Sequence, residues 1–315
     1  MFYHKKIFRS FLKKILPLIF NIFQFFSVNR RVINFLNDKS FEANNKYNFD
    51  QSIKDLLRNS KILALDIGAY GGFNSDNYFP SRYEKFFEPI MVEPQRDEAE
   101  KLKKKYTYVI DKGLWSSTTN KKLFFLKNRP GSSSMYKPNK KFFSAYRIDQ
   151  KNYKNFEITD EFEIKCETIE KSLREISIDK LDYLKIDTQG SELEILKGLG
   201  DYKPLMVRTE VQILSMYEDV PSWSKLLGSL YEKNYVICDW KGIGPHVTRT
   251  PAECEMLFVP NFRNDEGKKL IIENKEKFIS LMLIFGQIDL LKNIIKDIKL
   301  DAPEFIEKIQ DRYFN

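Results

Sequence analysis

An α/β fold around a mostly parallel sheet is what this 315-residue sequence predicts. Three observations predict it. From Lys61 onward, apolar strand-length runs alternate with amphipathic helix-length segments. The first run ends in a glycine-rich turn, Gly68-Ala69-Tyr70-Gly71-Gly72. The last two runs, residues 235–240 and 255–259, are joined without a helix-length segment, which suits an antiparallel hairpin at one edge.

The elements follow in order. Residues 61–69 read as a buried strand, and 74–87 as a helix and loop. Residues 90–93 form a second strand, 95–106 a charged helix and 107–110 a third strand. Residues 121–126 and 161–166 alternate with period two, as antiparallel additions or a hairpin do. An amphipathic helix over 168–176 precedes a fourth main strand, 181–186, and the helix 191–199 follows it. A fifth strand over 205–211, a helix over 222–233 and the terminal pair complete a seven-stranded main sheet. No internal repeat is visible. The α/β domain then spans 61–262, after a basic segment (1–36) and a linker with a lead-in helix (37–60). Residues 263–315 form a C-terminal helical appendage.

The net charge of +8 is unevenly placed. Seven basic residues (Lys5, Lys6, Arg9, Lys13, Lys14, Arg30 and Arg31) precede the first acid, Asp38. The body is therefore nearly neutral, which argues against a nucleic-acid partner. Cys166, Cys238 and Cys254 form no CxxC pair, so a disulfide framework or zinc site is not expected and a reducing, cytoplasmic setting is. Residues 5–26 place Phe8, Leu12, Ile15, Ile19 and Phe23 on one helical face and lysines on the other. A signal peptide lacks its cleavage site here, and Asn21 and Gln24 interrupt a transmembrane span. Two readings stay open: peripheral contact with the inner face of an anionic membrane, or packing on the protein's own core or a second subunit. The oligomeric state is left open.

Ligands of parallel α/β sheets bind beyond the carboxyl ends of the strands. Gly68 and Gly71 suit a backbone that approaches a ligand closely. The spacing is neither GxGxxG nor a P-loop. Glu93, with Pro94, ends the second strand about 20 residues further on, where an acid accepts both ribose hydroxyls. Together these point to an adenosine-type cofactor, a rule that NAD also satisfies. Asp66 either orients the loop or holds a cofactor amino group through water. Asp111, Gly113 and Leu114, after the third strand, are the expected adenine contacts, and Trp115 is either another or core.

The run Lys185-Ile186-Asp187-Thr188-Gln189-Gly190-Ser191-Glu192 resembles the hallmark of the FkbM-type methyltransferases. The Asp66–Gly72 loop, Glu93-Pro94, Arg208-Thr209-Glu210-Val211 and the Gly131–Ser134 stretch agree with that family in order. The resemblance covers roughly residues 60–240. It implies a Rossmann-like class I methyltransferase fold, S-adenosylmethionine (SAM) as cofactor, and methyl transfer to a hydroxyl. The acceptors it implies are a sugar in a glycan or lipid-linked saccharide, or a polyketide- or peptide-type natural product.

The residues themselves suggest roles. Asp187 ends a buried strand, and Glu210 lies on its neighbour. A carboxylate on a buried strand has a hydrogen-bond partner or a function. Either one can take the proton from an attacking hydroxyl. Glu192 is a third catalytic candidate, with complementing its helix dipole as the alternative. Gln189, Ser133 and His246 are candidate substrate contacts. The carboxylate after the fourth strand stands where catechol-type methyltransferases bind magnesium. The usual second acidic pair after the fifth strand is not evident, which argues against that metal. A nicotinamide-dependent sugar oxidoreductase or epimerase is the competing enzyme class, although no Tyr-x-x-x-Lys pair is present. A non-catalytic scaffold is the third reading.

Overall fold

A computed structural model describes residues 48–146, 148–241 and 252–309. The basic segment 5–26 and His246 lie outside the described residues. Among those described, no helix is long and apolar enough to cross a membrane.

The main sheet has seven strands in the order β3-β2-β1-β7-β8-β10-β9. These are β1 (Ile62–Ile67), β2 (Phe87–Val92), β3 (Tyr108–Ile110), β7 (Tyr183–Ile186), β8 (Met206–Gln212), β9 (Tyr235–Lys241) and β10 (Glu253–Pro260). β1 pairs in parallel with β2 and β7, and β7 with β8. β10 runs antiparallel between β8 and β9. This is the Rossmann-like sheet with its edge hairpin. The order reverses between β1 and β7, so the carboxyl ends of these strands frame the crevice where ligands bind.

Alternation along the strands makes two faces. Leu65, Ile67, Ile90, Val92, Leu184, Ile186, Val207 and Met256 are buried on one face. They meet Leu173 of α3 (Ile169–Glu175), Leu196 of α4 (Glu192–Lys197) and Leu230 of α5 (Trp223–Glu232). Such burial is the main favourable term, at about 25 cal/mol per Å² of apolar surface. Asp66, Lys185 and Arg208 lie side by side in register on the opposite face.

One expectation needs correction, and two further features were not foreseen. Residues 74–87 form no α-helix. Asn74, at φ +54°, bonds through its side chain to the Phe79 N–H and carbonyl, and a 3-10 helix (Ser81–Phe86) follows. Asn and Pro chemistry there outcompetes helix propagation. The period-two runs do pair antiparallel, as β5 (Thr119–Phe125) with β6 (Asp160–Glu167). They lie in a separate three-stranded sheet with an unforeseen short strand, β4 (Gly113–Leu114). Only two residues long, β4 carries no periodicity to read.

The lead-in helix, the sheet and the C-terminal helices share one compact unit that starts at Phe49. The first described helix, α1, spans Asp50–Leu57, and α2 spans Arg96–Lys103. α6 (Asp265–Glu273), α7 (Lys275–Ile284) and α8 (Ile288–Ile298) follow the sheet. α7 is buried from Phe278 to Ile284, with the Ser280 hydroxyl donating to the Glu276 carbonyl. Phe285 packs 5.2 Å from Tyr183 of β7 and 5.3 Å from Phe79, centroid to centroid. Asp182 fastens this layer. Its Oδ2 accepts from the Leu63 N–H at 2.8 Å and from Lys277 Nζ at 2.5 Å. Asp182→Ala leaves a strand N–H without its partner. It should cost about 2–3 kcal/mol in urea unfolding, the range for buried bonds to charged groups.

Candidate functional site

A cleft opens at the carboxyl ends of β1, β2 and β7. Gly68 follows β1, and its N–H, like that of Ala69, donates to the Val92 carbonyl at 3.2 Å. Gly68 has φ +80°, and a Cβ there would lie 1.8 Å from the Asp187 carbonyl oxygen. Only glycine permits that approach. The turn thus brings the end of β1 against the end of β7.

Glu93 follows β2 on the other side of the cleft. Its N–H donates to the Ile110 carbonyl, and its Oε1 accepts from the Gln95 N–H at 2.8 Å. Burial raises its pKa to about 7, against the pull of that backbone bond. Leu114, Leu123 and Ile195 make an apolar wall between Glu93 and Gln189. An apolar slot, a buried carboxylate and a Cβ-free turn are features that fit an adenosine group.

The turn after β7 carries the acidic chemistry. Gln189 at φ +59° and Gly190 at φ +117° turn the chain sharply into α4. Gln189 Nε2 donates to Asp187 Oδ1 at 3.1 Å and to Glu210 Oε2 at 3.0 Å. Gln212 Nε2 also reaches Glu210 Oε2, at 3.2 Å. Gln189 is held in turn. Its carbonyl accepts from the Ser134 hydroxyl at 2.7 Å, and Tyr217 Oη lies 3.0 Å from its Oε1. Burial pushes the Glu210 pKa well up, and the charges of Asp187 and Glu253 add to the rise. Glu253, opposite Gln212 in the sheet, is raised to about 7 by burial and by Asp187, with Arg129 opposing.

Beneath the turn lies Lys185, 3.0 Å from Asp66 Oδ1 and 3.8 Å from Asp187 Oδ2. It also donates to the Gly68 carbonyl at 3.2 Å. Burial alone would lower its pKa, but the two carboxylates outweigh that and hold it above the ordinary value.

The structure brings Gly68, Tyr70, Glu93, Pro94, Gly113, Leu114, Ser133, Asp187 and Gln189 to this cleft. Glu210 adjoins it through Gln189. Ala69 is buried under the loop, and the Gly71 N–H is turned toward Glu98. Three candidates face elsewhere. Asp66 pairs with Lys185, so it orients the loop rather than lining the cleft. Asp111 is drawn outward to Lys103 by an ion pair at 2.8 Å. Glu192 braces the turn: its Oε1 accepts from the Thr188 N–H, the Thr188 hydroxyl and the Gly190 N–H. Trp115 packs with Leu123, Ile164 and Cys166 as core. Gln95, Gln212, Tyr217 and Glu253 were not among the residues singled out from sequence, whereas Ser134 lay in the Gly131–Ser134 stretch that was. Gln212 offered a signal, two positions from Glu210 on the same strand face.

Among the described residues, no group of His, Cys, Asp or Glu is arranged to hold a metal ion. A family model described as the methyltransferase FkbM domain matches residues 66–237. No curated protein matches the chain.

The carboxylates set a pH dependence. The folded pKa of Glu253, about 7, lies above its unfolded value. Its stabilising contribution is then full below the unfolded carboxylate pKa and is lost as pH rises through about 7. Glu253→Gln should therefore stabilise the protein at about pH 8, by roughly 1–3 kcal/mol, and change it little at about pH 5. Urea unfolding at the two pH values reads this directly.

Proposed function

Since this chain belongs to the FkbM methyltransferase domain family and is a methyltransferase, we propose that it moves a methyl group from SAM to a saccharide hydroxyl. One observation carries the reading. One cleft is lined by Glu93 and by Asp187 and Gln189, and Gln189 ties it to Glu210, which supports cofactor and acceptor chemistry in one space. SAM supplies an electrophilic methyl group on a sulfonium.

The chain's own residues supply the rest. Glu93 would accept the ribose hydroxyls, and Gly68 would let the loop backbone close on the amino-acid tail. Leu114 and Leu123 would cover the adenine. The acceptor hydroxyl is a weak nucleophile at neutral pH, so its proton must leave as the new C–O bond forms. Glu210 is the favoured base, because burial beside Asp187 raises its pKa toward that of the departing proton. Asp187 would orient the hydroxyl, with Gln189 holding both carboxylates in place. Carboxylates and amide groups are also the common partners of sugar hydroxyls, which supports a saccharide over an apolar acceptor.

SAM at a hundredfold excess over its Kd should stabilise the protein by roughly 2.7 kcal/mol in thermal unfolding. Glu93→Gln should weaken SAM binding about tenfold or more by calorimetry, the loss of a charged hydrogen-bond partner. An unshifted melting temperature with SAM, or a rise with NADH instead, contradicts the reading.

Glu210→Gln should lower kcat for labelled methyl transfer to saccharides by about a hundredfold or more, the usual worth of a general base. The acid limb of the pH–rate profile should disappear with it. Undiminished turnover in this variant removes Glu210 from the role.

A further inference from the structure

β5 and β6 pair from Thr119↔Cys166 to Phe125↔Asp160, a register that a short hairpin turn could close. Residues 126–159 intervene instead. This connection is far longer than a hairpin needs, and it holds the 3-10 helices Pro130–Ser132, Lys140–Phe142 and Gln150–Phe156. It has a core of its own. Leu126, Phe143 and Phe156 are fully buried against Met216 and Tyr217, which follow β8. It also forms one wall of the cleft, through Pro130, Gly131, Ser133, Ser134 and Met135.

The lobe is strongly basic. Residues 126–159 hold eight basic and two acidic residues, a net +6 in a chain of net +8. The near-neutral body therefore combines a cationic lobe with an acidic remainder. Among the described residues, Lys127, Arg129, Lys137, Lys140, Lys141 and Lys154 form no ion pair with a carboxylate, whereas Lys101, Lys171 and Lys197 elsewhere do. Arg129 directly precedes Pro130 and Gly131 of the cleft wall. Its guanidinium lies 4.9 Å from the Phe156 ring centroid, its Nε donates to the Ser132 hydroxyl, and its charge acts on Glu253.

Charge is thus segregated: carboxylates and amides inside the cleft, unpaired cations on the lobe that walls it. The inner groups suit hydroxyls, and the outer ones suit a phosphate. We propose that residues 126–159 are an acceptor-recognition lobe for a phosphate-bearing saccharide, with the phosphate on the lobe's cations and the reacting hydroxyl at Asp187 and Glu210. A flat anionic membrane fits less well, because it would press a plane of phosphates toward the cleft's carboxylates. The proposal rests on the reading of the cleft as a site of methyl transfer to a hydroxyl.

The test uses the full chain saturated with SAM, titrated with glucose 1-phosphate, with glucose, and with phosphatidylcholine–phosphatidylglycerol vesicles. Glucose 1-phosphate should bind at least about tenfold more tightly than glucose, a preference that falls with salt. Lys140→Glu/Lys141→Glu and Arg129→Gln should each reduce that preference while leaving SAM affinity unchanged. Equal binding of the two sugars, or a phosphate preference unmoved by both variants, overturns the proposal. Lobe-dependent binding of vesicles without binding of glucose 1-phosphate overturns it in favour of a lipid surface. Failure of SAM itself to bind refutes the methyl-transfer reading instead, so the two failures are told apart.

Discussion

The Lys185 ammonium is 9% exposed and touches both halves of the site. It pairs with Asp66 at the end of β1, donates to the Gly68 carbonyl, and faces Asp187 at the end of β7. A charge so deeply desolvated persists only when it is paired and hydrogen-bonded. Breaking such a pair typically costs about 3–5 kcal/mol, because the remaining charge is stranded. Neutralising Asp66 would therefore loosen the glycine turn and release the strand that carries Asp187. The glycine turn and the acidic turn are parts of one electrostatic unit.

That unit explains the geometry around it. The Gly68 turn lies so close to the Asp187 carbonyl that no side chain fits between them. Glu192 then fixes the turn from below, and Gln189 ties Asp187 to Glu210 from above. Each brace uses a different backbone or side-chain group, so the spacing of the carboxylates is fixed from several sides. The cost is a set of buried carboxylates with raised pKa values, offset by the apolar face that α3, α4 and α5 cover. Strained or desolvated groups of this kind concentrate where chemistry is done.

Much of this was legible in the sequence, for physical reasons. Parallel strands buried on both faces read as continuous apolar runs, so β1, β7 and β8 stand out. Glu93 was found because its distance from the glycine turn is set by one β-α-β unit. The roles of Asp111 and Glu192, and the choice between the two readings of Asp66, were not legible. Each depends on a partner far away in sequence or on a carbonyl's direction, and neither leaves a pattern along the chain. Lys185 lies 119 positions from Asp66, and only strand pairing makes them neighbours. Tyr217 and Glu253 were missed for the same reason. The charge of the 126–159 lobe was hidden because a near-neutral sum over the body averages a basic lobe with an acidic remainder.

In the proposed reaction Glu93 holds the ribose of the cofactor, whose methyl end faces Asp187 and Gln189. A crystal structure of the full chain with S-adenosylhomocysteine tests this arrangement most directly. The ribose hydroxyls should lie within hydrogen-bonding distance of the Glu93 carboxylate, with the sulfur turned toward Asp187 and Gln189. A ligand whose ribose sits away from Glu93, or whose sulfur faces away from Asp187, would contradict the account.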